Sequence, residues 1–174
     1  MQNIDLSDYI EFENNNIGKI ILKSDSKDLS LNEDNLILKA ANCIKEITNN
    51  KELGANIFLK KNIPIGAGLA GGSSNAAATL LGLNKLWDLD LDYRTIFSLS
   101  VKIGSDVPFF INGGCQFCFG RGEILEEYNS KFDYGVILLK NPDISISTAD
   151  TYTKYSKRFC SKYFSESEKT NKIR

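Results

Sequence analysis

Apolar residues recur three or four positions apart in the run SLNEDNLILKAANCIKEITNN. This period predicts a helix that buries Ile37, Ala40, Ala41, Ile44 and Ile47 along one stripe. Asn32 to Asp34 supply its capping and first-turn acidic groups. A two-residue period takes over in GANIFLKK, where Ile57 and Leu59 share one face of a strand. IGKIILKSD alternates more weakly and predicts another strand. After Lys61 the glycines at 66, 68, 71 and 72 interrupt any period, and a helix follows from Ser74 to Trp87. LDYRTIFSLSVKIG predicts the next helix, capped by Asp92 and stopped by Gly104. SDVPFFINGG reads as a turn and CQFCFGRGEILEEY as a hairpin around Gly120 and Gly122. YGVILLKNP reads as an apolar strand ended by Asn141-Pro142, and SISTADTYTKYSKRF as the start of a helix. Strands and helices mix without regular alternation and without repeats. The expected class is α+β, with helices covering one face of a mixed sheet.

Composition narrows the chemistry more than the fold. The 174 residues suit one domain with appendages, and the hydrophobic share of 42% with 25% charged residues is that of a folded chain. A net charge of -1 and no long basic run argue against nucleic acid held by phosphate neutralisation. No apolar run approaches the ~20 residues that cross a bilayer, and the acidic start MQNIDLSDYIEFE carries no signal pattern. No membrane partner is expected. Cysteines stand at 43, 115, 118 and 160. The pair in CQFC lacks further ligands for zinc, and reads as a strand with Cys115, Phe117 and Phe119 on one face. Unpaired thiols point to a reducing compartment, so the cytoplasm is the expected location. The chain has no histidine, which leaves carboxylates, lysine, hydroxyls, backbone dipoles or a metal ion for any catalysis.

Three readings compete for PIGAGLAGGSS. Gly66, Gly68 and Gly71 satisfy G-x-G-x-x-G, but the position about 20 residues on, where a dinucleotide fold wants an acidic strand end, falls in the connection WDLDLD. A Walker loop fails because no Gly-Lys-Ser/Thr follows. The third reading is another anion cradle. Glycines let backbone N–H groups approach a phosphate, the helix end adds its unpaired donors, and Ser73 and Ser74 add hydroxyls for phosphate or Mg²⁺. Ala76, Ala77 and Ala78 let the helix pack close to the sheet. A tight glycine turn that binds nothing stays open on the residues alone.

PIGAGLAGGSSNAA resembles the second signature motif of the GHMP kinases, and EDNLILKAA, IGSDVPFFINGG, GRGEIL and NPDISISTADTY extend the resemblance in order along most of the chain. The resemblance implies the amino-terminal domain of that family over 1–150 and the start of a carboxyl-terminal domain over 151–174. It implies ATP lying against Pro64, Ile65, Gly66, Ala67, Gly68, Leu69, Ala70, Gly71, Gly72, Ser73 and Ser74, with Mg²⁺ as companion ion and no protein residue assigned to the metal. Lys61 matches a basic position near the adenosine, and Asn35 and Leu36 lie in a segment that approaches the adenine. Asp106 matches the catalytic aspartate, whose carboxylate accepts the proton of the attacking hydroxyl. Its alternative is a cap on the turn at Val107-Pro108. Thr148 matches a position near a cytidine diphosphate, and Tyr152 an aromatic that stacks on cytosine; its alternative is an ordinary core or surface ring.

The resemblance further implies a small-molecule acceptor, diphosphocytidyl methylerythritol, phosphorylated on its 2-hydroxyl in the non-mevalonate route to isoprenoid precursors. Another small-molecule kinase of the family, or an ATP-binding remnant without catalysis, stays as the alternative. The family opens with a strand bearing a lysine that pairs with the catalytic aspartate, and closes with a further glycine motif. Neither is matched here. The expectation is a chain truncated at both ends, with the first strand and most of the carboxyl-terminal domain missing and with little activity of its own. The oligomeric state is not indicated.

Overall fold

The structure, a computed structural model, describes residues 1–128, 135–141 and 148–159. Its elements in order are β1 (Tyr9–Asn14), β2 (Ile20–Ser24), α1 (Leu36–Thr48), β3 (Ala55–Lys60) and α2 (Gly71–Leu86). There follow α3 (Tyr93–Ile103), α4 (Val107–Asn112), β4 (Gln116–Phe119), β5 (Ile124–Glu127) and α5 (Thr148–Phe159).

The strand that alternates most clearly becomes the centre of the sheet. β3 lies between β1, antiparallel, and β2, parallel, so the order is β1-β3-β2 and the sheet is mixed. Ala55, Ile57 and Leu59 of β3 are each 1% exposed or less, whereas Phe58 on the other face is 39% exposed. One face is therefore covered and the other is not, which is the α+β arrangement expected. The cover is α1 and α2. Ile37, Ala40, Ala41 and Ile44 of α1 meet Ala76, Ala77, Leu80 and Leu83 of α2 over β3, and Ile96, Leu99 and Val107 extend the same core. Small residues let the second helix lie close to the sheet. A Cβ on Gly82 would come within 2.5 Å of the Phe12 ring of β1, so a side chain there would have to displace the ring.

Several sequence expectations shift. α1 is capped by Asn35 and not by Asn32 to Asp34; its side chain accepts from Ile37 N at 2.9 Å, and no acidic residue sits in the first turn. Ile47 continues the helical period but is 44% exposed in the last turn of α1, whereas Ile44 is fully buried. Ala78 turns outward while Ala76 and Ala77 are buried. α2 begins at Gly71, three residues before Ser74, since two glycines tolerate helical dihedrals at a helix start. The segment read as a turn at 107–112 is the short helix α4, with Pro108 in its first turn. β1 went unread in the sequence, although Ile10 and Phe12 alternate with Glu11 and Glu13 and pack partly buried against the core. Residues 135–141, the described part of the expected apolar strand, form no regular strand, and Tyr134 and Pro142 lie outside the described residues. The hairpin forms as β4 and β5, with the Phe117 and Phe119 rings 6.4 Å apart. α5 runs across position 150, and the tail from 160, including Cys160, lies outside the described residues.

Candidate functional site

The end of β3 is tied down before the glycine loop begins. Lys61 N donates to Asp25 Oδ1 at 2.9 Å, and the amides of Asn62 and Ile63 donate to Asp8 Oδ1, both at 2.7 Å. Asp8 Oδ2 accepts from Lys61 Nζ at 2.7 Å and from Asn75 Nδ2, on the second turn of α2, at 2.8 Å. The Lys61 and Asp8 side chains are 8% and 1% exposed, and Lys61 Nζ also donates to the Ile63 carbonyl. Burial by itself raises the Asp8 pKa. The hydrogen bonds from Lys61, Ile63, Asn75 and Asn62 outweigh it and hold the carboxyl below its ordinary value.

From this anchor the chain makes the loop 64–70 with left-handed backbone at Gly66 (φ 66°), Gly68 (φ 72°) and Ala70 (φ 51°). Gly68 has no neighbour within 4 Å of an added Cβ, so its requirement is conformational. Gly71 differs: a Cβ there would meet Ile63 Cγ2 at 3.0 Å and Lys61 Nζ at 3.3 Å. A side chain there would press on Ile63 and Lys61 and require them to shift.

The start of α2 has no side-chain cap. Its first intrahelical bond runs from Ser74 N to Ala70 O at 2.9 Å, which leaves the N–H groups of Gly71, Gly72 and Ser73 as donors at the positive end of the helix. Ser74 Oγ donates to Gly71 O at 2.9 Å and keeps its lone pairs. Gly71 and Gly72 open into a cleft of about 460 Å³ between the loop and the start of α1. Of the residues expected at a nucleotide, Asn35, Leu36, Lys61 and Pro64 through Gly72 line it together. Ser74 instead lines a second cleft of about 360 Å³ on the other side of Gly68 to Ala70, floored by Phe109 and Phe110 and walled by residues 1–4 and 6–7.

The acceptor residues are not gathered with the loop. Asp106 is exposed at the start of α4, makes no side-chain capping bond, and lines neither cleft. The turn of the β4–β5 hairpin packs behind it, with Gly122 so near Ser105 that a Cβ would meet its carbonyl at 2.6 Å. Tyr152 is 71% exposed on α5 and lines neither cleft, and the Thr148 side chain lies outside the described residues. Among the described residues no group of three or more histidine, cysteine, aspartate or glutamate side chains is placed to hold a metal, and no helix is long and apolar enough to cross a membrane. Sequence reasoning missed Asp8, Asp25 and Asn75. The signal within reach was Asn75, the one amide side chain among the small residues of the helix start.

Residues 35–114 match the family profile described as the GHMP kinases N terminal domain. The chain is 83% identical, over all of its 174 residues and 56% of the relative, to the 4-diphosphocytidyl-2-C-methyl-D-erythritol kinase of Prochlorococcus marinus subsp. pastoris. The kinase of the same name from Prochlorococcus marinus strain NATL2A is 51% identical over 181 aligned positions, covering the whole chain and 56% of that relative. The chain thus spans little more than half the length of the curated relatives it matches. Among solved structures, a crystal structure of 4-(cytidine 5'-diphospho)-2C-methyl-D-erythritol kinase superposes with a TM-score of 0.58 at 35% identity, over 71% of this chain and 42% of that one. The mevalonate kinase of Methanococcus jannaschii shares the fold, with a TM-score of 0.58 at 18% identity over 73% of this chain and 47% of that one.

Proposed function

We propose that the chain is the amino-terminal part of a GHMP kinase, and that the protein transfers the γ-phosphate of ATP to the 2-hydroxyl of diphosphocytidyl methylerythritol, in the cytoplasm, as a step toward isoprenoid precursors. The observation that carries the donor half is the uncapped start of α2 opening into the loop-lined cleft. Three backbone N–H groups, the helix dipole and glycines without side chains form an acceptor for a triphosphate. The acceptor half rests on what the relatives are named for.

In this reading Asn35 and Leu36 meet the adenine, Lys61 the adenosine, and Pro64 through Ser74 the phosphates. Asp106 takes the proton of the attacking hydroxyl, and its exposure leaves it open to a substrate. Thr148 and Tyr152 hold the diphosphocytidyl end. Mg²⁺, a hard ion held by oxygen and water, is the companion ion of the phosphates in this reading, with no side chain assigned to it, since Ser74 lines the second cleft and Ser73 lines neither. When bound, the ion neutralises charge on the transferring phosphates.

Two measurements on the 174-residue chain test the proposal. Calorimetry with Mg²⁺ and a non-hydrolysable ATP analogue is expected to show binding that Gly68→Ala weakens. ADP release is expected to require the diphosphocytidyl alcohol and to be slower than in a relative of full length. Absence of nucleotide binding overturns the donor half. Release driven by homoserine or mevalonate overturns the acceptor.

A further inference from the structure

Asp8 belongs to none of the motifs that place the nucleotide, yet its carboxylate is where three parts of the site are joined. Oδ1 takes the amides of Asn62 and Ile63 at the entry to the glycine loop; Oδ2 takes Lys61 Nζ from the end of β3 and Asn75 Nδ2 from α2. Four donors satisfy both oxygens, and the side chain is 1% exposed. Lys61 is held in turn. It spends a second donor on the Ile63 carbonyl, and its Nζ lies 3.3 Å from where a Cβ of Gly71 would be. The cation therefore stands at the mouth of α2 in a fixed place. A flexible lysine on an open surface would lose that position to solvent and to rotamer freedom.

We propose that Asp8 is the positioning residue of the nucleotide site: it locks Lys61 and the first turns of α2 so that the loop amides hold one anion-accepting geometry before a ligand arrives. This rests on the reading of the loop as a nucleotide cradle. Preorganisation of this kind strengthens binding by lowering what must be ordered on association.

The test is calorimetry with Mg²⁺ and the ATP analogue on the wild-type chain, Asp8→Asn, Lys61→Met and the double variant, beside thermal unfolding without nucleotide. Asp8→Asn keeps the shape but can no longer accept at both oxygens. It is expected to weaken binding by roughly 10-fold or more, as loss of charge-assisted hydrogen bonds does. The double variant is expected to bind no more weakly than Lys61→Met alone, since the two residues act as one unit. Wild-type affinity in Asp8→Asn, whatever its melting temperature, overturns the proposal and leaves Asp8 a residue of the fold only. A wild-type chain that does not bind the analogue overturns the nucleotide reading instead, and this inference falls with it. If Asp8→Asn does not fold, Asn75→Ser, which removes a single donor, decides between the same two outcomes by a smaller loss of affinity.

Discussion

Ala70 holds a left-handed backbone, φ 51°, without being a glycine. That conformation costs an ordinary residue about 1–2 kcal/mol. It is over-determined here by the first α2 bond on one side and by the pinned end of β3 on the other. Neighbouring glycines divide into two kinds, and alanine substitutions separate them. Gly68→Ala places a side chain at φ 72° and is expected to lower stability by about 1 kcal/mol and to weaken nucleotide binding. Gly72→Ala meets only Leu36 Cδ1, at 3.5 Å, and lies in a helix; it is expected to raise stability by up to about 1 kcal/mol while still weakening binding, because its Cβ would intrude on the cleft that Gly72 lines. Urea unfolding beside calorimetry reads both. Asp8 adds a pH dependence. Its folded pKa lies below the ordinary 3.8, so its contribution to stability is complete above that value and is lost as pH falls through the folded value. Acid unfolding is expected to show this loss in the wild type and not in Asp8→Asn.

At the scale of elements, the packing of α2 on β1 and β3 decides where the loop stands. α2 runs 16 residues, so its mouth and its far end are about 24 Å apart at 1.5 Å per residue. Trp87, buried at that far end with Nε1 donating to Gly54 O at 3.4 Å, senses the helix and the sheet but does not touch a ligand at the loop. Gly82→Ala drives a methyl group into Phe12 and is expected to cost about 1–3 kcal/mol, read as a lower urea midpoint. The periods of α1, α3 and β3 were legible because one face of each is buried in a single core. The short α4 was not, since Val107-Pro108 and two glycines read equally as a turn until Phe109 is seen buried at 1% exposure.

For the molecule as a whole, the open side matters as much as the core. Val136, Ile137, Leu138 and Leu139 are 63%, 86%, 45% and 94% exposed in sequence order. A contiguous apolar run in water promotes association. Ile137→Lys with Leu139→Lys is expected to raise solubility, measured by light scattering, without moving the melting temperature, because neither side chain is packed. Unchanged scattering would show that the run is already covered in solution.

The sequence by itself determined the α+β class, the helical and strand periods, and the place of the glycine-rich loop before a helix. All of these depend on residues close in the chain, where spacing alone dictates which side chains share a face and which amides lack a Cβ. Only the tertiary structure decided what holds the loop. Asp8 lies 53 to 67 residues from the side-chain partners it binds, Lys61 and Asn75, and no local pattern marks it. A buried carboxylate is specified by where donors from separate elements converge, and that convergence exists only once β1, β3 and α2 have packed.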